Sequence, residues 1–222
     1  MASSTVEDYV KQIYLEQFAA PDAAALVSMG KLAAAMGVVP GTATSMVKAL
    51  ADAGLVEYEP RGGARLTRGG ERLALHVLRR HRLVELFLVK VLGLDWSEVH
   101  AEAEELEHAI SDKVLERIDA ALGRPSVDPH GDPIPSAKGK VIESRRASLA
   151  DCEMNRPYRV ARVIDQDAGF LQFVDRCGLV PGVAVTVEVR DRLADAVWVR
   201  PGERRAVTLG TAAAAKILVE DI

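Results

Sequence analysis

A stretch rich in proline, glycine and serine, residues 124–150, divides the chain into two parts whose apolar residues follow different patterns. Before this stretch, apolar residues recur at every third or fourth position, which predicts amphipathic helices. After it, segments such as 183–189 and 196–199 alternate apolar and polar residues, as strands of an antiparallel sheet do. The sequence therefore predicts a mainly α fold that ends in a small all-β domain, a β-barrel.

The first part begins with the pattern of a winged helix-turn-helix domain. Helices are predicted at residues 5–17, from residue 28 to a turn near Gly37, and at 41–53, the last opened by Pro40 and ended by Gly54. Two short strands around Gly62 and Gly63 then predict a β-hairpin, the wing. Two short helices joined by a tight turn and followed by a hairpin are typical of DNA-binding domains.

Basic and hydroxyl-bearing side chains of this domain are candidates for DNA contact. The net charge of the whole chain is −4, so a DNA-binding surface must be a local basic patch, which Arg68 and Arg72 extend. A plain helical hairpin of an enzyme is the alternative interpretation, and the basic wing favours DNA binding over it. The residues expected to contact DNA are Pro40, Thr42, Thr44, Ser45, Lys48, Arg61 and Arg65.

Later helices carry three of the five histidines of the chain next to glutamates at helical spacing. His81 and Glu85 lie four residues apart on a helix predicted at 68–91. His100, Glu104 and the pair Glu107/His108 share a face of the next helix, 96–108. Antiparallel packing of the two would make a cage of imidazoles and carboxylates that suits a divalent first-row cation. The alternative is that the glutamates form a solvated acidic face.

Other features of the sequence predict where the protein is located and whether it forms oligomers. The two cysteines are too few for a disulfide framework, the N-terminus lacks a secretion signal, and charges interrupt the most apolar segment. These features predict a cytoplasmic protein without a membrane partner. The helix at 68–91 carries apolar residues on more than one face, which predicts a homodimer interface.

Together these motifs resemble the diphtheria-toxin-repressor family of metal-dependent transcriptional regulators, with the manganese-regulator branch the closer match. The resemblance implies four parts: a winged helix-turn-helix domain (1–73), a helical dimerisation and metal-binding domain (74–140), a linker (141–152) and an SH3-like, FeoA-like domain (153–222). The segments that carry it are VEDYVKQIY, VPGTATSMVKAL, RRHRLVELFLVKVLGL, EVHAEAEELEHAISD, DPHGDPIP and GLVPG.

The same resemblance implies two metal sites. An interdomain site would consist of Asp8, Glu104, Glu107 and His108, and a second site of His81, Glu85 and His100. Iron-sensing members resemble this chain but have Met and Cys at the positions of Asp8 and Glu104, so the carboxylates here favour Mn²⁺. Lys11 replaces a glutamate of single-domain manganese regulators and departs from their two-metal arrangement. In iron-sensing members the C-terminal domain adds ligands to the second site. Gln166 aligns with one of these donors, Gly169 cannot supply the other, and Asp165 or Asp167 could substitute for it.

These inferences predict a Mn²⁺-dependent repressor that binds a palindromic operator and controls metal-uptake genes. An Fe²⁺-dependent regulator of iron uptake is the alternative, and Zn²⁺ or Co²⁺ is expected to bind in vitro. A metal-dependent hydrolase is a further alternative, but the sequence offers no separate acid or base for it, so we expect neither an enzyme nor an organic substrate. A repressor that answers to an organic ligand, with structural histidines, also remains open.

Overall fold

The computed structural model describes residues 3–18, 25–142 and 146–222, which belong to two compact units. The N-terminal unit comprises Met1–His81 and Pro135–Lys140, and the C-terminal unit comprises Arg82–Ile134 and Val141–Ile222. The described ranges contain eight helices and eight strands. No helix in those ranges is both long enough and apolar enough to cross a bilayer.

The N-terminal unit has the predicted winged helix-turn-helix topology. Helices α1 (Ser4–Phe18), α2 (Met29–Ala35) and α3 (Pro40–Asp52) precede an antiparallel hairpin of β1 (Val56–Glu59) and β2 (Gly63–Leu66). The Ser28 side chain caps α2 by accepting a hydrogen bond from the backbone N–H of Lys31, and Pro40 opens α3. The core joins the three helices and the hairpin through Val10, Ile13, Leu32, Val47, Leu50, Val56 and Ala64.

Helix α4 (Arg68–Lys90) begins in the N-terminal unit and ends in the C-terminal unit, where α5 (Val99–Leu106) and α6 (Asp112–Ala121) follow. One side of α4 packs on α6 through Leu83, Leu86, Leu115 and Ile118. Its other side packs on α5 through Val84, Leu88, Val99 and Ala103. Large apolar side chains that remain exposed in this region are Val91, Leu92, Leu106 and Val114.

Helix α5 begins three residues later than the sequence predicted. Trp96–Glu98 form a turn, because the carboxylate of Asp95 accepts hydrogen bonds from both the backbone N–H and the hydroxyl of Ser97 (2.8 and 2.6 Å). Such a local side-chain bond competes with helix formation. Glu107 is the C-cap of α5, so His108 lies in the turn beyond the helix.

The C-terminal β-domain is a six-stranded antiparallel sheet. Its strands are β3 (Ala147–Ser148), β4 (Pro157–Val163), β5 (Ala184–Asp191), β6 (Ala196–Pro201), β7 (Val207–Gly210) and β8 (Ile217–Asp221). Their order in the sheet is β3-β8-β4-β5-β6-β7. Helix α7 (Ala168–Arg176) connects β4 to β5, and α8 (Thr211–Ala214) connects β7 to β8. Inward-facing residues such as Val160, Val187, Val199 and Ile217 form one core with α7.

Candidate metal centre and nucleic-acid interface

Glu85 on α4 is fully buried, and α5 brings a histidine to it. Nδ1 of His100 lies 3.3 Å from Oε1 of Glu85, and Nε2 of the same ring lies 3.7 Å from Oε1 of Glu104, one turn along α5. Helical spacing places His100 beside Glu104 on α5, and the packing of α5 on α4 brings His100 to Glu85. Their roles as metal ligands remain predictions. His81 lies one turn before Glu85 on α4 and is the last residue of the N-terminal unit, so its place in the second metal site stays a prediction.

The proposed interdomain site draws on both units. Glu107 is fully buried at the end of α5, and its Oε1 lies 3.5 Å from Nε2 of His108. Asp8 lies on α1 of the N-terminal unit, whereas Glu104, Glu107 and His108 belong to the C-terminal unit. Their assembly around one ion remains a prediction.

A second group of potential ligands lies entirely within the C-terminal unit. Glu85, Asp128 and His130 are all buried, and each offers one ligand atom within 4.8 Å of the others. Nδ1 of His130 lies 3.8 Å from Oε2 of Glu85. The two oxygens of Glu85 therefore face two different histidines, His100 and His130.

The ring of His130 is held in one orientation. Its Nε2 lies 2.8 Å from the carbonyl oxygen of Trp96. A carbonyl can only accept, so Nε2 carries the hydrogen and Nδ1 faces the cluster. Among the residues that the structure describes, Nδ1 has no hydrogen-bond partner. A histidine that donates from one nitrogen to a carbonyl and presents the other is the usual arrangement of a metal ligand.

Asp128 divides its two oxygens between the loop and the cluster. Oδ1 accepts hydrogen bonds from the backbone N–H groups of His130 (2.8 Å) and Asp132 (2.9 Å), which closes the loop 128–132. Oδ2 is buried without a hydrogen-bond partner in the described ranges and lies 3.6 Å from Nε of Arg82. One carboxylate oxygen is thus structural, and the other is available to a cation.

The charges of the cluster are unbalanced without a cation. Burial, together with the negative charges of Asp132 and Glu85, raises the pKa of Asp128 to about 8. Burial alone would lower the pKa of His130, but the contact with Glu85 and the charge of Asp128 raise it. A divalent cation would neutralise these carboxylates, and two carboxylates with one imidazole suit a first-row metal. The donor set therefore fits a metal ion.

The sequence analysis did not identify Asp128 and His130 as ligands, and it used DPHGDPIP only as a segment that carries the family resemblance. A histidine two residues after an aspartate, both among prolines and glycines, was the available signal. Helical spacing could not connect a loop to Glu85, because their proximity depends on how the loop folds back on α4.

The three predicted donors of the β-domain each have a protein partner. Asp165 forms an ion pair with Lys216 (2.5 Å), and this hydrogen bond lowers the pKa of the carboxyl. Gln166 donates from Nε2 to Oδ2 of Asp132 (2.9 Å). Asp167 caps α7 by accepting from the backbone N–H of Phe170. Their roles as ligands remain predictions.

On the candidate DNA-binding helix, α3, the side opposite Val47 and Leu50 faces solvent. Pro40, Thr42, Ser45 and Lys48 are exposed, and Thr44 is half-buried. The hydroxyls of Thr44 and Ser45 donate to the carbonyls of Pro40 (2.7 Å) and Gly41 (3.0 Å). These hydroxyls therefore offer their lone pairs outward, as acceptors for base amino groups.

The wing presents two arginines in different states. Arg61 is exposed at the tip of the hairpin, with a positive φ of 67°. Arg65 lies opposite Glu57 in the hairpin, and Nε and Nη2 of its guanidinium lie 2.7 and 2.6 Å from Oε2 of Glu57. A DNA phosphate must therefore compete with Glu57 for Arg65.

Comparison with known proteins gives matches along almost the whole chain. Three family models match: the N-terminal DNA-binding domain of iron-dependent repressors over residues 1–64, their metal-binding and dimerisation domain over 67–136, and the FeoA domain over 147–221. The iron-dependent repressor IdeR of Mycobacterium leprae is 30% identical over 193 residues, covering 82% of this chain and 83% of that protein.

Solved structures agree with these matches. A manganese-dependent transcriptional repressor in complex with manganese is 40% identical, with a TM-score of 0.88 over 98% of this chain and 100% of that one. The structure of ScaR with bound Cd²⁺ is 31% identical, with a TM-score of 0.80 over 98% of this chain and 99% of that one.

Proposed function

Since the chain belongs to the diphtheria-toxin-repressor family of metal-dependent transcriptional repressors, we propose that Mn²⁺ is the metal that activates it. The active form is a homodimer bound to a palindromic operator that controls metal-uptake genes. Its functional parts are the DNA-binding domain (1–73), the dimerisation and metal-binding domain (74–140), the linker (141–152) and the SH3-like domain (153–222). We assign it no catalytic role.

The choice of Mn²⁺ rests on one observation, that the potential ligand atoms are oxygen and nitrogen only. Around Glu85, the available groups are carboxylates and imidazoles, with no sulfur among them in the part of the chain that the structure describes. The two cysteines, Cys152 and Cys177, belong to the core of the β-domain. Oxygen-rich sites suit Mn²⁺, whereas thiolates select softer ions.

Fe²⁺ is the second candidate, because it accepts the same mixture of imidazole and carboxylate. The relatives do not decide between the two metals. IdeR of Mycobacterium leprae is described as iron-dependent, and the repressor structure that is 40% identical to this chain is described as manganese-dependent. Zn²⁺ and Co²⁺ are expected to bind in vitro, because their intrinsic affinity for such ligands is higher than that of Mn²⁺.

Metal binding would act on the fold through the residues that hold the ion. A divalent cation supplies positive charge that ties carboxylates and imidazoles from separate elements together. Glu85 supports this role from α4, His100 from α5, and His130 from the loop 128–132. At the predicted interdomain site, Asp8 would attach the DNA-binding domain to Glu104, Glu107 and His108. The cation would thereby fix the two recognition helices of the dimer at the spacing of successive major grooves.

Operator binding measured against free metal concentration tests this proposal. The purified dimer is titrated with buffered Mn²⁺, and with Fe²⁺ under anaerobic conditions, and EDTA is added at saturation. Each metal is tested at the free concentration that a cell would hold, because the intrinsic affinity of such ligands for Fe²⁺ exceeds that for Mn²⁺. We expect Mn²⁺ to activate operator binding at its cellular concentration, Fe²⁺ not to do so at its own, and EDTA to abolish binding. Operator binding that survives EDTA would refute metal dependence, and activation by Fe²⁺ but not Mn²⁺ at these concentrations would replace manganese with iron.

A further inference from the structure

The β-domain fixes the loop 128–132, which carries two residues of the buried cluster. The backbone N–H of Val163 on β4 donates to the carbonyl of His130 (2.9 Å). Gly131, with a φ of +87°, lies against the same strand so closely that a Cβ would overlap the carbonyl oxygen of Ala161. The loop backbone therefore rests directly on β4, and only glycine fits at the point of contact.

One buried carboxylate connects this loop to both the helix α4 and the β-domain. Asp132 is 2% exposed, and its Oδ1 lies 3.2 Å from Nη2 of Arg82 and 2.5 Å from Nη2 of Arg162. Its Oδ2 accepts a hydrogen bond from Gln166 (2.9 Å). Charge-assisted bonds of this kind hold a fixed geometry, and losing one partner of a buried pair is costly.

The same residue is coupled to a potential ligand. The backbone N–H of Asp132 donates to Oδ1 of Asp128, and the carboxylate of Asp128 has an oxygen within 4.8 Å of ligand atoms of Glu85 and His130. A shift of Asp132 therefore shifts Asp128, and with it the loop that presents His130. Neither Asp132 nor Arg162 belongs to the group Glu85, Asp128 and His130.

We propose that Asp132 is a positioning residue through which the β-domain, by way of Arg162 and Gln166, holds Asp128 and His130 in their metal-binding arrangement. The β-domain thereby sets the metal affinity of the buried cluster. This inference rests on the proposed function in one respect, that the cluster binds the activating metal. Partners that orient metal ligands typically change metal affinity 10- to 100-fold.

Trp96 reports on this cluster, because its ring centroid lies 5.5 Å from that of His130. The chain has two tryptophans, so Trp198→Phe leaves Trp96 as the single tryptophan, which is excited selectively over the tyrosines. Quenching of its emission by Mn²⁺ or Co²⁺, both paramagnetic, measures binding near His130. The component of the quenching that Asp128→Asn removes identifies the cluster, and the visible absorption of Co²⁺ reports the coordination geometry.

Arg162→Gln in the Trp198→Phe background tests the proposal, with Arg159→Gln as the matched control. Both arginines lie on β4, but Arg159 is exposed, whereas Arg162 contacts Asp132. We expect Arg162→Gln to weaken Mn²⁺ binding at the cluster roughly 10- to 100-fold and to alter the Co²⁺ spectrum. Asp132→Asn should produce at least the same loss, since it removes this ion pair and the one with Arg82, and Arg159→Gln should leave binding unchanged.

A conservative variant distinguishes a positioning role of Arg162 from a general loss of folding. Arg162→Lys keeps the positive charge next to Asp132, so it should recover part of the affinity lost in Arg162→Gln. Unchanged affinity and spectrum in Arg162→Gln would overturn the proposal. An equal loss in Arg162→Lys and Arg162→Gln, with reduced circular dichroism in both, would also overturn it. Failure of the Trp198→Phe parent to bind Mn²⁺ or Co²⁺ would refute the proposed function itself.

Discussion

Asp128→Asn should stabilise the metal-free protein while it removes metal binding at the buried cluster. An asparagine oxygen can accept the same two backbone hydrogen bonds that Oδ1 of Asp128 accepts, so the loop 128–132 keeps its closure. The other position becomes a neutral amide, which needs no proton uptake to be uncharged in the interior and is a poor ligand for a cation. Fold and function are therefore expected to respond in opposite directions.

The size of the stabilisation follows from the pKa of Asp128. The folded protein keeps this carboxyl protonated up to a pH of about 8, whereas the unfolded chain releases the proton near 3.8. Between these values the folded state binds more protons, so the stability of the wild type falls as pH rises, by about 1.4 kcal/mol for each pH unit. At pH 7 the raised pKa of Asp128 therefore lowers the free energy of unfolding of the wild type by at most about 4 kcal/mol. An asparagine does not titrate, so the variant avoids this cost.

Urea unfolding in EDTA, followed by tryptophan fluorescence, measures this difference because Trp96 and Trp198 both lie in the C-terminal unit. Asp128→Asn should unfold at higher urea than the wild type at pH 7, and the gap should narrow at pH 5. Added Mn²⁺ should stabilise the wild type far more than the variant. A variant that is no more stable than the wild type at pH 7, or a gap that does not change with pH, would refute the electrostatic argument.

Three further variants test the other parts of the function. His108→Ala should abolish metal-activated operator binding while the dimer stays folded, as gel shifts and sedimentation would check; wild-type activation would exclude it as an interdomain ligand. Glu57→Gln should strengthen operator binding and steepen its salt dependence, because it releases Arg65 for phosphate; unchanged affinity across a salt series would exclude this competition. Asp8→Met combined with Glu104→Cys should favour Fe²⁺ or Co²⁺ over Mn²⁺ in anaerobic operator-binding titrations, because sulfur ligands suit softer ions. An unchanged order of activation would show that these side chains do not set metal choice.

Local periodicity was enough to predict the parts of the molecule that depend on neighbours in sequence. The winged helix-turn-helix and the long helix α4 follow from apolar spacing and from Pro40 and Gly54 at the ends of α3. The same spacing placed His100 beside Glu104 on α5. The predicted start of α5 was wrong because the carboxylate of Asp95 accepts a hydrogen bond from the backbone of Ser97. Such a local bond competes with helix formation, and the spacing of apolar residues gives no sign of it.

The buried cluster depends on contacts between distant segments, which no periodic pattern encodes. Asp128 and His130 reach Glu85 only because the loop 128–132 closes on itself and rests on β4. From the sequence alone, Glu85 belonged to one set of ligands. In the structure its two oxygens face histidines from two different elements.

A metal ion bound at the cluster would act on the fold of the C-terminal unit. Three carboxylates, those of Glu85, Asp128 and Asp132, lie in the interior of one unit, where ionised groups are costly unless they are paired. Arg82 and Arg162 compensate Asp132, but the raised pKa of Asp128 shows that the compensation is incomplete. A cation that completed it would bind the folded arrangement in preference to the unfolded chain, and tighter binding would stabilise that arrangement more. The carboxylates that destabilise the metal-free fold would then be the groups through which the metal controls it.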